Sequence, residues 1–158
     1  MGNKRFSPSA LAADLAHLAV TNIGAAGTLI VRNAVRAGDV RAEILRRLPF
    51  ESEVMVCSAD EVARLVEKPP GRAPDGARWF VSVLAAPPDK VPRLPIVEPP
   101  GGAWEVRVVR VVGRYAISLR RTGGTYPNEV VEKQLGVLAT TRGWDTIAQV
   151  RDRLRSGA

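Results

Sequence analysis

The sequence predicts an α+β protein in which helices form a sandwich with a largely antiparallel sheet. Three observations carry this. Apolar spacing switches between helical and alternating periods without strict β–α–β alternation. Two alternating runs meet at Gly113 as a hairpin. Apolar residues make up 46% of the 158 residues, enough for a packed core in one compact domain.

The elements follow in order. Ser7 caps a first helix with Pro8 at its first position, and Leu11, Leu15 and Leu18 recur at helical spacing. Val20 to Asn22 and Thr28 to Val31 read as short strands, with Gly24 and Gly27 supplying the turn. Asp39 is predicted to cap a second helix striped by Val40, Ile44, Leu45 and Leu48. Val54 to Cys57 reads as a strand. Ser58 and Glu61 then form a capping box for a third helix that buries Val62, Leu65 and Val66. Residues 69–76 are rich in Pro and Gly and read as an exposed loop joining halves 1–68 and 77–158.

Trp79 to Ala85 is an apolar strand, placed centrally. Six prolines within residues 86–103 predict an extended surface connection without a regular element. Trp104 to Val112 and Arg114 to Arg120 form the hairpin. Pro127 to Leu135 is a helix with Gly136 at its C-terminal cap. Ala139 to Arg142 is short and extended. A last helix carries Trp144, Ile147, Val150 and Leu154 on one face, and Arg155 to Ala158 is expected to fray.

The C-terminal run Glu132-Lys133-Gln134-Leu135-Gly136-Val137-Leu138-Ala139-Thr140-Thr141-Arg142-Gly143-Trp144-Asp145-Thr146 resembles the E-K-x-L-G-V-x-A-T-T-R-N-W-N-T signature of the bacterial domain of unknown function 1697 family. Val54 to Val62 and Phe80 to Pro88 resemble two further segments of that family more loosely. The resemblance implies a fold similar to two ferredoxin-like halves and assigns no activity. It also marks two departures. Met1-Gly2-Asn3-Lys4-Arg5 lines up only with the end of the family's R-G-I-N-V-G-G motif, so the family's first strand is absent. Asn22 to Thr28 keeps only Gly27 of the family's T-Y-I-Q-S-G-N turn. A missing strand leaves a sheet edge unpaired, and such edges are covered or paired with another chain, so a homodimer is expected.

The formal charge of +7 is uneven: residues 101–158 carry 10 basic and 5 acidic side chains, whereas residues 51–100 carry 6 and 8. A basic chain favours anionic partners, nucleic acid among them. Only Lys4, Lys68, Lys90 and Lys133 are lysines, and Arg suits bidentate phosphate contacts. GC-rich coding would give the same composition.

Several chemistries find no support. Cys57 is the only cysteine and His17 the only histidine, which excludes an internal disulfide and an N/S zinc site, so no metal and no cofactor are expected. Cys57 reads as a buried strand residue, and a reducing, cytoplasmic setting suits it. His17 reads as a helix-end residue. Gly71 and Gly76 have the spacing of a phosphate loop, but Ala77-Arg78 follow where Lys and Ser or Thr are required. There is no G-x-G-x-x-G after a strand and no G-x-S-x-G. No apolar run reaches the roughly 18–20 residues of a membrane span, so no membrane partner is expected. Trp79 and Phe80 face opposite sides of one strand, but no RNA-recognition signature surrounds them. Glu129 and Glu132 share a helix face and read as solvated, as do the arginine pairs Arg46-Arg47 and Arg120-Arg121.

The candidate ligand site is Thr140, Thr141, Arg142 and Thr146, where a short strand feeds a helix. Free backbone N–H groups, hydroxyls and a guanidinium there make an anion seat. The same residues also read as a helix cap with Trp144 in the core. No catalytic constellation appears. The expected function is therefore a non-enzymatic binding module for an anionic partner. The alternative is an enzyme acting on a phosphorylated or anionic small molecule, with Arg142 as electrostatic clamp.

Overall fold

The computed structural model describes residues 6–33 and 36–157. The family-motif match at Met1 to Arg5 lies outside the described residues. Chain contacts divide the protein into two compact units, Met1–Leu65 with Ala148–Ala158, and Val66–Ile147, and the division falls within two helices. The class is α+β, with five α-helices and two antiparallel sheets among the described residues. No helix is long and apolar enough to cross a membrane.

In the first unit, α1 (Pro8–Asp14) begins as expected: the Ser7 hydroxyl accepts from the Ala10 N–H at 3.3 Å. It stops at Asp14, sooner than the leucine spacing predicts. Leu15 leaves the helical conformation and Ala16–Leu18 forms a 3-10 turn carrying His17. Ala19 closes that turn in the left-handed region at φ 50°, which redirects the chain into β1. β1 (Val20–Ile23) and β2 (Thr28–Val31) pair antiparallel around a loop with positive φ at Gly24 and Gly27. α2 (Ala37–Arg47) starts two residues before Asp39. Its N-cap is Arg36, and Asp39 lies in the first turn, where its charge favours the helix dipole but does not cap. Leu11, Leu15, Val40 and Ile44 form this unit's core, flanked by Leu18, Val20, Leu29 and Leu48. Val54 to Cys57 belongs to neither sheet, contrary to expectation, and Cys57 is half-buried. The capping box ahead of α3 (Ala59–Glu67) is present: Ser58 N–H donates to Glu61 Oε2 at 2.7 Å, and Glu61 N–H donates to Ser58 Oγ at 3.1 Å.

The second unit holds a five-stranded antiparallel sheet in the order β4-β5-β6-β3-β7. β3 (Ala77–Leu84) is an interior strand between β6 (Tyr115–Arg121) and β7 (Ala139–Gly143). The proline-rich connection is not wholly irregular, because Ile96–Glu98 forms β4 and pairs with β5 (Val106–Val112). The register explains it: Ile96 opposes Val108 and joins the core, while Pro95 and Pro99 confine the strand to three residues at the sheet edge. The hairpin turn uses Gly113 and Arg114, since Val112 pairs with Tyr115, and Gly113 sits at φ 56°. Trp104 precedes β5 instead of opening it. A bulge between Val108 and Arg110 shifts the register of the β5–β6 pair.

α4 (Pro127–Leu135) covers one sheet face with Val130, Val131 and Leu135, packed on Leu84, Val106, Val108 and Ala116. Each of its buried valines contributes about 1.5–3 kcal/mol by removal from water. On the other face Val81, Ile117 and Leu119 are buried as well. Gly136 ends α4 at φ 67°, donating to the Glu132 carbonyl at 2.9 Å. α5 (Trp144–Ser156) follows β7 directly and includes Arg155 and Ser156, which were expected to fray.

Candidate functional site

The Thr-Thr-Arg segment is not a turn and does not cap a helix. Thr140, Thr141 and Arg142 are consecutive residues of β7, paired with Val83, Ser82 and Val81 of β3. Gly143, not a threonine, stands immediately before α5. Alternation along β7 sends Thr141 toward α4 and sends Thr140 and Arg142 to the opposite face.

On the α4 side three side chains form a relay. Thr141 donates to Asn128 Oδ1 at 2.8 Å. Its single hydroxyl proton is thereby committed, so the 2.7 Å contact between Ser82 Oγ and Thr141 Oγ1 has Ser82 as donor. Ser82 is fully buried. On the other side, Arg142 Nη1 donates to Thr140 Oγ1 at 3.0 Å and to the Thr141 carbonyl at 2.8 Å. Burial pushes the Arg142 pKa down from the ordinary arginine value. Glu132 is not merely a solvated face: its Oε1 accepts from the Ala139 N–H at 2.9 Å and ties the end of α4 to the start of β7.

Thr140, Thr141 and Arg142 line an open cavity of about 440 Å³ together with Phe80, Ala139, Tyr126, Pro127, Asn128 and Glu129. The last four belong to the start of α4. Tyr126 is the N-cap and makes no side-chain cap bond, and Pro127 at the first position has no N–H. The structure thus brings three of the four sequence-predicted residues to one cavity. It leaves out Thr146, which lies in the first turn of α5 and does not line it. The helix start beside the cavity is that of α4, not the expected α5. A carboxylate, Glu129, shares the lining.

Sequence reasoning missed the loop that leads into α4. Arg120 Nε donates to the Thr125 carbonyl and Nη2 to the Gly123 carbonyl, both at 2.9 Å, and its guanidinium lies 4.1 Å from the Tyr126 ring centroid. The Glu105 carboxylate accepts from the Thr125 N–H at 2.8 Å. The Thr125 hydroxyl and N–H hold the Glu105 pKa below the usual glutamate value. Arg120 and Arg121 were expected to be solvated charge. Both are half-buried, each with an aromatic ring centroid within 4.1 Å of its guanidinium carbon.

Trp104 is the second feature missed. It is 5% exposed, and the Arg107 and Arg121 guanidinium carbons lie 4.3 and 3.9 Å from its ring centroid. Among the described residues neither guanidinium makes a hydrogen bond or ion pair, and Arg107 Nε is buried without a partner. The two cations are at most about 8 Å apart by these distances. At an effective dielectric near 20, unit charges at that outer limit repel by about 2 kcal/mol. The legible signal was charge: residues 106–121 contain five arginines and no carboxylate. His17 Nε2–H donates to Glu43 Oε1 at 2.7 Å on the surface of the other unit, far in sequence from these groups. Compared with known protein families, curated proteins and solved structures, the chain matches none.

Proposed function

We propose that this chain is a non-enzymatic binding module that takes an anionic partner in the cavity between the start of α4 and β7. The observation that carries the reading is that residues Thr140 and Arg142 of the edge strand β7 and the uncapped start of α4 line one open cavity. Helix-start amides and an oriented guanidinium are the elements with which proteins hold oxoanions. The bonds from Nη1 to Thr140 and to the Thr141 carbonyl fix the direction of the fork.

The test is fluorescence anisotropy with labelled single- and double-stranded oligonucleotides at low and physiological salt, with calorimetric titration of inorganic phosphate beside it. Arg142→Ala is expected to weaken binding by about 10- to 100-fold, the loss of one charge-assisted contact. Unchanged binding in that variant would move the site elsewhere. No oligonucleotide binding at low salt would remove nucleic acid from the partners.

One observation favours the second reading, an enzyme acting on a phosphorylated or anionic small molecule with Arg142 as clamp. The Glu129 carboxylate shares the cavity and could exchange a proton there. Turnover of a phosphorylated substrate that Glu129→Gln abolishes, with binding retained, would decide for it.

We further read the chain as a diverged member of the domain of unknown function 1697 family, on the residues from Glu132 to Thr146. The strand order β7-β3-β6-β5, with α4 between β6 and β7, supports reading the second unit as a ferredoxin-like half. In that reading the connection containing β4 takes the place of a first helix. The homodimer remains part of this proposal, and a monomeric mass by light scattering at micromolar concentration would overturn it.

A further inference from the structure

We propose that Arg107 and Arg121 form a second anion site beside Trp104, one that takes a phosphate group and is independent of the cavity at Arg142. Two cations over a single indole are at most about 8 Å apart and, among the described residues, have no carboxylate partner. Glu105, the nearest acid in sequence, is turned to the Thr125 N–H and neutralises neither. Arg120, which precedes Arg121, donates to the Gly123 and Thr125 carbonyls. Each guanidinium carbon of the pair lies within 4.3 Å of the Trp104 ring centroid. A cation–π contact holds an arginine beside the ring without consuming its N–H groups as donors.

A phosphomonoester dianion, or two adjacent phosphodiester monoanions, answers both charges. Phosphate oxygens accept bidentate bonds from guanidinium forks, and an acceptor there relieves the mutual repulsion that the protein leaves uncompensated. A chloride ion offers one charge and no bidentate geometry. Phosphate is therefore the ligand chemistry assigned, whether from a free phosphorylated molecule or from a nucleic-acid backbone.

The experiment reads Trp104 itself. In the full chain carrying Trp79→Phe and Trp144→Phe, Trp104 is the only tryptophan. Inorganic phosphate is titrated at constant ionic strength set with chloride, and emission and melting temperature are followed. A saturable emission change with a rise in melting temperature is expected, reduced at least tenfold in affinity by Arg107→Gln and by Arg121→Gln separately. Arg121→Lys, which keeps the charge but not the fork, guards against a variant that simply fails to fold and is expected to bind more weakly than the parent. A response identical in chloride, or one that both glutamine variants retain, overturns the proposal. An oligonucleotide that competes with phosphate at these arginines assigns the group to a nucleic-acid backbone. One that does not compete assigns it to a small phosphorylated molecule.

Discussion

Replacing Thr141 by Val tests whether the Ser82–Thr141–Asn128 relay holds α4 to the sheet. The side chain keeps its shape and loses only the hydroxyl. That loss leaves the Ser82 hydroxyl, fully buried and otherwise without a partner, as an unmade donor. An unmade buried donor costs about 1–3 kcal/mol. Asn128 also loses its 2.8 Å bond, but it is half-buried and can turn to water, which adds well under that amount. The expected destabilisation is about 2 kcal/mol, or about 4–8 °C in melting temperature for a chain of this size. Ser82→Ala removes the donor itself and is expected to cost about 1 kcal/mol, because Thr141 keeps Asn128. Thr141→Val in the Ser82→Ala background should then cost about 1 kcal/mol less than in the parent, since no buried donor is left behind. Urea denaturation of the four proteins closes the cycle. Costs that add without coupling would refute the relay, as would a Thr141→Val protein as stable as the parent.

Two further measurements follow from the loop ahead of α4. Glu105 has its pKa lowered by the Thr125 hydroxyl and N–H, so its contribution to stability is present above its unfolded value near 4.5 and is lost as pH falls through the lower folded value. Melting temperatures of the parent should therefore fall more steeply below about pH 4.5 than those of Glu105→Gln; parallel profiles would count against the bond. A Cβ on Gly123 would stand 2.5 Å from Glu105 Cδ, whereas one on Gly124 meets nothing within 4 Å. Gly123→Ala is accordingly expected to melt lower than Gly124→Ala, and equal melting would show that Glu105 moves aside freely. The Arg142→Ala and Arg107/Arg121 titrations complete the set, and the two sites should respond separately.

Most of the elements were legible because local chemistry decided them. The capping box at Ser58, Pro127 opening α4 and Gly136 closing it are each fixed within a few residues. The failures have tertiary causes. Val54 to Cys57 has the composition of a strand, but a strand needs a neighbour, and neither sheet supplies one. Six prolines argued correctly against a long element between 86 and 103, yet Ile96 finds Val108 opposite and three residues suffice at an edge. Leucine spacing carried α1 past Asp14, because Leu15 and Leu18 keep burying themselves after the helix has given way to a 3-10 turn.

The site divides along the same line. Thr140, Thr141 and Arg142 were singled out because hydroxyls and a guanidinium suit an anion, but their spacing could not say which face each would take. β7 alternation gives Thr141 to the interior, where its one proton is already committed to Asn128, and leaves Thr140 and Arg142 on the opposite face, where Arg142 donates to the Thr140 hydroxyl and the Thr141 carbonyl. In the proposed site the anion contacts are assigned to Arg142 and the α4 start, so Thr141→Val should alter stability far more than affinity. At Trp104 the reverse holds. No motif marks the residues, and Arg121 was read with Arg120 as surface charge, whereas carboxylates are absent from residues 106–121 and Glu105 beside them is bound to Thr125. Charge left uncompensated at a buried ring is a property of the folded arrangement, which is why it could be seen only once β5, β6 and Trp104 had been brought together.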